Sequence, residues 1–133
     1  MASAREKKHF ERVWQAAVAA GNAAFAAAEP VPMVVQQHAS PLNDASPVVK
    51  SYYVADGVCG FAWVRIPKSN GKFARWLKDN KLARPGYPSG AEISSAKVAP
   101  VSQSLARNEA ACQAAAEVLK AGGLECYADS RID

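Results

Sequence analysis

The sequence lacks most of the patterns that mark membrane, metal-binding and catalytic proteins. It has only three cysteines and two histidines in 133 residues. No apolar run approaches the ~18 residues that a membrane helix requires. There is no Cys-x-x-Cys pair, no Walker A motif and no Gly-x-Gly-x-x-Gly motif. These absences disfavour a membrane span, a zinc site, a disulfide framework and the common nucleotide-binding loops.

Two local features could carry chemistry, and each fits a simpler interpretation better. Cys59 lies in a segment that loosely resembles the region around a papain-type nucleophile, but Ala62 stands where that family has its reactive cysteine. We interpret Cys59 as a buried, inert thiol, because a reactive thiol needs an exposed electropositive setting. His38, Asp44 and Asp56 match no zinc spacing and favour a solvated loop. The sequence therefore nominates no catalytic residue, no metal ligand and no cofactor.

The composition is that of a folded domain with a small basic excess. Half of the residues are hydrophobic, 21% are charged and the net charge is +4. A chain of this length buries roughly two-thirds of its unfolded surface, so we predict a single domain over residues 1–133. The charged N-terminal segment is unlike a signal peptide, and we expect a cytoplasmic protein with no membrane partner. The oligomeric state stays open, with a homo-oligomer among the alternatives.

Local patterns predict three helices. A capping box at Ser3 and Glu6, followed by helical periodicity, predicts a first helix that ends before Pro30. A second helix is predicted over about 69–82, with Ser69 or Asn70 as its cap. A third is predicted over about 104–121, ended by two glycines.

The strands are predicted from β-rich runs bounded by turn residues. These runs cover residues 33–36, 48–54, 58–66, 91–98 and 124–128. Asp56-Gly57 predicts a hairpin turn between the second and third runs. The run at 58–66 is apolar on both faces, which predicts a strand covered on both sides. The order α-β-β-β-α-β-α-β indicates an α/β chain of the α+β type, with a single mixed β-sheet and about three helices.

The basic residues are concentrated in one segment. Residues 65–84 hold seven basic side chains and one acidic one, and so carry +6. The remaining nine basic and eleven acidic side chains give −2. Helical geometry places Arg75 and Lys78 opposite the apolar arc of the second helix, with Lys72 at its flank. A solvated helix surface explains this pattern as well as a phosphate-binding patch does.

Polar residues elsewhere could complete a phosphate-binding pocket. Hydroxyl groups, glycine-rich backbone and arginine are common phosphate ligands, and such groups occur around Tyr87, Gln103, Ser104 and Arg131. Ser104 is better explained as the N-cap of the third helix. Loop and capping roles explain most of the others equally well.

One strand carries an alternation of a different kind. Phe61, Trp63 and Arg65 fall on a single face, as in the platforms on which proteins stack nucleic-acid bases. Packing in the core beneath the helices is the preferred interpretation of this pattern.

Five segments spread over nearly the whole chain form a further pattern. They are Pro-Met33-Val, Asp56-Gly-Val-Cys-Gly-Phe-Ala-Trp-Val64, Tyr87-Pro-Ser-Gly90, Ser102-Gln-Ser104 and Tyr127-Ala-Asp-Ser-Arg-Ile-Asp133. Together they resemble a small protein family of tailed bacteriophages and prophages that has no settled function. The chain departs from that family after Tyr87, where the family has a double glycine. The resemblance implies an accessory phage protein that acts on host defence or transcription by binding.

The leading hypothesis is a non-enzymatic binding protein that captures a phosphorylated ligand such as a nucleotide, including a nucleotide signal of host defence. Arg65 and Arg131 are the expected direct phosphate contacts, and Tyr87 or Trp63 would supply stacking. The alternative is an interaction module that binds nucleic acid or an acidic host protein through residues 65–84. An enzyme ranks third. The residues assigned to the site are Arg65, Lys72, Arg75, Lys78, Tyr87, Gln103, Ser104 and Arg131.

Overall fold

Three α-helices and two antiparallel sheets make up the described part of the chain. A computed structural model describes residues 2–40, 42 and 45–133. Among these residues, no helix has the length and apolarity to cross a bilayer. The elements in chain order are α1 (Ala4–Ala27), β1 (Met33–His38), β2 (Val48–Val54), β3 (Gly60–Ile66), α2 (Lys72–Asp79), β4 (Arg84–Pro85), β5 (Ala91–Ser94), α3 (Leu105–Ala121) and β6 (Tyr127–Ile132), with a short 3-10 helix at Ser95–Lys97 between β5 and α3.

The strands do not form the single mixed sheet predicted from the sequence. β1 and β2 pair only with each other, and the remaining strands form a four-stranded sheet in the order β4-β5-β3-β6. All of these pairs are antiparallel. The α+β composition and the three helices are confirmed, whereas the single sheet and the order α-β-β-β-α-β-α-β are wrong. The two-residue strand β4 was not predicted, because no β-rich run covers its residues.

The Asp56-Gly57 turn forms, but it does not join a hairpin. The Gly57 N–H donates to the Val54 carbonyl at 3.2 Å and closes the turn, and Gly57 itself has a φ of 74°. The strands on either side belong to different sheets, because β2 pairs with β1 while β3 pairs with β5 and β6. The Asp56 carbonyl accepts a hydrogen bond from the Ser104 hydroxyl at 3.0 Å, and its carboxylate accepts one from Arg107 Nε at 3.2 Å. These bonds tie the turn to the start of α3.

The core lies on one face of the four-stranded sheet. Along β3, Gly60, Ala62, Val64 and Ile66 are buried while the residues between them are at least partly exposed. The prediction that this strand is covered on both sides is therefore wrong. The physical reason is that all three helices contribute side chains to one core that also contains the buried residues of β3 and β5.

Small side chains allow α3 to approach the sheet and α1 closely. The buried residues of α3 are Asn108, Ala111, Cys112, Ala115, Ala116 and Leu119. The predicted N-cap Ser104 and C-cap Gly122 are both confirmed. A Cβ atom at Gly122 would overlap the side chain of Val13 on α1, so this cap also sets the spacing between the two helices.

An aromatic cluster connects α1 to α2. The capping box at Ser3 and Glu6 is confirmed at the start of α1. The rings of Phe10 and Phe73 stack with their centroids 4.5 Å apart, and Trp76 packs half-buried beside them. α2 is shorter than predicted: Gly71 stands at its N-cap position in place of Ser69 or Asn70, with no side-chain cap, and the helix ends at Asp79.

The three cysteines are all free, and they differ in exposure. Cys112 and Cys126 are buried, whereas Cys59 is exposed. The prediction of a buried Cys59 is wrong, because this residue precedes β3 and forms only an isolated bridge with Ser104. Burial raises the pKa of the Cys112 thiol to about 12 and that of Cys126 to about 11.

We predict that a maleimide labels Cys59 rapidly in the native protein and labels Cys112 and Cys126 only after unfolding. Burial both shields these two thiols and keeps them in the unreactive protonated form. Mass spectrometry of the digested protein reads each site separately, and Cys59→Ser should abolish the rapid phase. Rapid native labelling of Cys112 would contradict the packing of α3 against the sheet.

Candidate functional site

The face of β3 turned away from the core carries aromatic and basic side chains. Phe61, Trp63 and Arg65 alternate with the buried residues of the strand and so point to the opposite side. Phe61 keeps 48% of its surface exposed, while Trp63 and Arg65 are half-buried. The expectation that these aromatic residues pack under helices is therefore not met, because the helices cover the other face.

β6 extends this surface on one side. The register places Tyr127 beside Arg65, Asp129 beside Trp63 and Arg131 beside Phe61. Directly paired residues of antiparallel strands project from the same face, so these side chains are neighbours. The Arg131 guanidinium carbon lies 5.2 Å from the centroid of the Phe61 ring, within the distance of a cation–π contact.

β5 and the segment after α2 form the other side of the surface. Glu92 pairs with Arg65 and Ser94 pairs with Trp63 across the β3–β5 ladder. Arg84 Nε donates to Glu92 Oε1 at 2.9 Å. Tyr87 is 94% exposed on the neighbouring loop. Residues of β3, β4, β5, β6 and this loop line an open concavity of about 690 Å³. We call this surface the sheet face, defined by Phe61, Trp63, Arg65, Arg84, Tyr87, Tyr127 and Arg131.

Arg65 holds a donor that nothing among the described residues satisfies. Its Nη1 atom is shielded from solvent and has no hydrogen-bond partner there. Leaving a buried donor unpaired costs roughly 1–3 kcal/mol, and more for a charged group. Because this nitrogen is shielded from solvent, a ligand on the surface would not reach it without movement of the loop that covers it.

A tight loop over Arg65 shields this nitrogen. The Gly86 N–H donates to the Gly90 carbonyl at 3.0 Å, and Gly90 has a φ of 76°. A Cβ atom at Gly86 would overlap Nη1 of Arg65. Glycine at position 86 therefore allows the loop backbone to lie directly against the guanidinium.

The structure brings together only some of the residues predicted from the sequence. Arg65, Tyr87 and Arg131 all belong to the sheet face, where Tyr87 and Arg131 line the concavity and Arg65 lies against Gly86. Lys72 and Arg75 line a separate cleft between α1 and α2. In that cleft the Lys72 ammonium lies 3.3 Å from a Glu6 carboxylate oxygen. A hydrogen bond from the backbone of Ser3, followed by that from Lys72, lowers the pKa of Glu6.

Lys78, Gln103 and Ser104 occupy other positions. Lys78 lines a groove on the far side of β4 and β5. Ser104 is 4% exposed, and its hydroxyl both donates to the Asp56 carbonyl and accepts from the Arg107 N–H. Gln103 is exposed beside it, and its carbonyl accepts from the Gly60 N–H. The N-cap interpretation of Ser104 is confirmed, and neither Gln103 nor Ser104 lines the sheet-face concavity.

Sequence reasoning missed Tyr127 and Arg84 as members of the sheet face. The last strand was predicted over 124–128, but it spans Tyr127–Ile132. The alternation of Tyr127, Asp129 and Arg131 was the available signal, but Asp129 is a residue type that is depleted in strands and so concealed it. Arg84 was counted only as part of the basic segment, because β4 is too short to show a strand pattern.

The described residues offer no metal centre, and Asp44 lies outside them. No cluster of three or more metal-ligating side chains occurs among them. Comparison with protein-family models, with curated proteins and with solved structures finds no match for this chain.

We predict that Gly86→Ala displaces the Arg65 guanidinium. The added methyl group cannot share space with Nη1, so the guanidinium should move towards solvent. Arginine modification by phenylglyoxal, mapped by mass spectrometry, should then proceed faster at Arg65 than in the native protein. Gly71→Ala is the matched control, because its Cβ would meet no atom within 4 Å. Equal Arg65 reactivity in all three proteins would contradict the loop contact.

Proposed function

We propose that this protein binds a ligand that joins a flat aromatic base to a phosphate. Such a ligand is a nucleotide, either free or as one unit of a single strand. The observation that carries the proposal is the uncovered sheet face, on which the exposed ring of Phe61 lies under the Arg131 guanidinium. The proposal keeps the ligand class expected from the sequence and the expected contacts of Arg65 and Arg131, and it leaves out Lys72, Arg75 and Lys78 of the second helix.

The exposed aromatic rings support the base-binding part of the proposal. Phe61 is 48% exposed and Tyr127 is 46% exposed, and they lie on the paired strands β3 and β6. Stacking of a base on an aromatic side chain is worth roughly 1–3 kcal/mol and tolerates any base. Trp63 lies between the two on β3 and offers a third ring.

The arginine residues support the phosphate-binding part. Arg65 and Arg131 flank the aromatic residues, and Arg84 lies at the rim beside Glu92. A guanidinium can bind phosphate through two parallel hydrogen bonds. Arg131 lines the concavity beside Phe61, which supports a phosphate contact next to a stacked base.

The shape of the site favours an extended ligand over an enclosed small molecule. The concavity of about 690 Å³ lies along a sheet surface that is open to solvent. Enclosed ligand pockets bury most of their ligand's surface, whereas sheet platforms leave the nucleic-acid backbone in water. This geometry supports recognition of bases and phosphates one unit at a time.

The cleft between α1 and α2 is a weaker candidate for phosphate binding. Its cations Lys7, Lys72 and Arg75 share the cleft with Asp79, and Lys72 already pairs with Glu6. These acidic groups would repel a phosphate. The basic-helix module that the sequence suggested is therefore the second candidate.

The resemblance to a phage-encoded family suggests a biological context in which such a ligand would be bound. A phage accessory protein that captures a nucleotide signal of host defence would use the same base-plus-phosphate chemistry as one that binds a single strand. The binding assay therefore needs a cyclic dinucleotide as well as mononucleotides and single-stranded oligonucleotides.

We predict that Phe61→Ala weakens binding roughly 5- to 150-fold, because it removes one stacking platform. Fluorescence anisotropy measures oligonucleotide binding, and calorimetry measures binding of a mononucleotide and a cyclic dinucleotide. The matched control is Tyr53→Ala, which removes a 70% exposed aromatic ring from the separate β1–β2 hairpin. Equal affinities for wild type and both variants, or binding of none of these ligands, would overturn the proposal.

A further inference from the structure

A second groove adjoins the sheet face around its outer edge. It has a volume of about 280 Å³ and is lined by the end of α2, the chain that follows it, β5 and the 3-10 helix. Arg84, Pro85, Glu92 and Ser94 line both this groove and the sheet-face concavity. The two depressions therefore meet along the β4–β5 edge.

The second groove is strongly basic. Lys78, Lys81 and Lys97 line it together with Arg84, and they come from two parts of the chain, residues 78–84 and the 3-10 helix. Glu92 is the one acidic residue among its lining residues, and its carboxylate already accepts the bond from Arg84. No unpaired carboxylate among the lining residues therefore balances the three lysine charges. We call this surface the lysine groove, defined by Lys78, Lys81 and Lys97.

Lys81 occupies a backbone position that favours glycine. Its φ is 59°, in the left-handed region. The Leu82 N–H donates to the Leu77 carbonyl at 2.9 Å and the Lys81 N–H donates to the Lys78 carbonyl at 3.0 Å. This pair of bonds is the Schellman motif that ends a helix, in which glycine usually takes the left-handed position. The attraction between a cation and the C-terminal end of a helix offsets part of the backbone cost. Glycine at position 81 would relieve the remaining backbone strain, but it would lack the charge that Lys81 brings to the groove.

We propose that the ligand of the sheet face is a single-stranded nucleic acid several nucleotides long, whose phosphates continue from the sheet face into the lysine groove. This inference rests on the proposed function. The arginine residues of the sheet face can account for the binding of one phosphate group. The lysine groove lies farther along the surface, beyond the aromatic rings. Lysine residues that follow a stacking platform are suited to a backbone that continues past it.

The aromatic platform excludes an intact duplex as the ligand. The bases of a duplex stack on one another and present only their edges, so they cannot lie flat on Phe61 and Tyr127. A single strand exposes the faces of its bases while its phosphates remain free for the lysine groove. The arrangement therefore favours unpaired nucleic acid.

The test measures affinity as a function of ligand length and salt concentration. We compare wild type with a double variant, Lys81→Gly with Lys97→Gln, using thymidine monophosphate and oligothymidylates from the dinucleotide upward. Lys81→Gly also relieves the left-handed strain, so loss of folding should not obscure the result, and thermal melting checks this. The control double variant, Lys8→Gln with Lys120→Gln, removes the same charge from exposed positions on α1 and α3 that line neither depression.

We expect wild-type affinity to rise with strand length and then level off. The lysine-groove variant should lose this gain while keeping its affinity for thymidine monophosphate. The slope of log affinity against log salt should fall by about 1.4 for longer strands, since each lost phosphate contact accounts for about 0.7 on a single strand. The control variant should show a much smaller change in slope.

Three results would overturn the inference. If wild type binds the mononucleotide and long strands equally well, the lysine groove has no part in binding, while the proposed function stands. If the control variant loses as much salt dependence as the lysine-groove variant, the effect is one of overall charge. If no nucleotide of any length binds, both the inference and the proposed function fail.

Discussion

Only one face of β3 is buried. This strand alternates small or branched apolar residues on one face with aromatic and basic residues on the other, and only the first face is packed beneath helices. Asn108 at the start of α3 fixes this arrangement, because its Nδ2 donates to the Gly60 carbonyl at 3.3 Å and to the Ser102 carbonyl at 2.9 Å. The Asp133 N–H donates to the Cys59 carbonyl at 3.1 Å and holds the end of β6 against the same strand.

Once β3 is fixed in this way, the composition of the sheet face follows from register. Pairing with β6 places an arginine next to Phe61 and a tyrosine next to Arg65, and pairing with β5 places Glu92 on the other side of Arg65. A shift of one residue in either ladder would turn these side chains into the core. The same packing that stabilises the domain therefore assembles the proposed binding surface, with no residue dedicated to holding it.

The helices were predictable because their signals are local. The Ser3 capping box, the Ser104 N-cap and the Gly122 C-cap each depend on residues within one turn, and all three occur as predicted. The pairing of the strands was not predictable, because Asp56-Gly57 specifies a turn and carries no information about which distant strand β3 will contact. That pairing depends on contacts with α3 and β6, which lie far along the chain.

The candidate site was half predictable for a related reason. The alternation of Phe61, Trp63 and Arg65 was visible, but which face the helices would cover depends on where α3 packs. The basic segment was also visible, yet the fold divides it. Arg65 and Arg84 face the sheet side, Lys78 and Lys81 line the adjoining groove, and Lys72 and Arg75 face α1. The net charge of a segment cannot reveal such a division, because residues only a few positions apart in the chain can lie on different surfaces.

We propose that the uncovered face of the sheet binds the ligand. A heteronuclear NMR titration of the isotope-labelled protein with a short oligothymidylate tests this, read as shifts of the backbone amides and of the Trp63 indole. We expect the largest shifts in β3, β5, β6 and the loop at 84–90, with small shifts in β1, β2 and the exposed side of α3. The largest shifts at Lys7, Lys72 and Arg75, with β3 and β6 unperturbed, would contradict it.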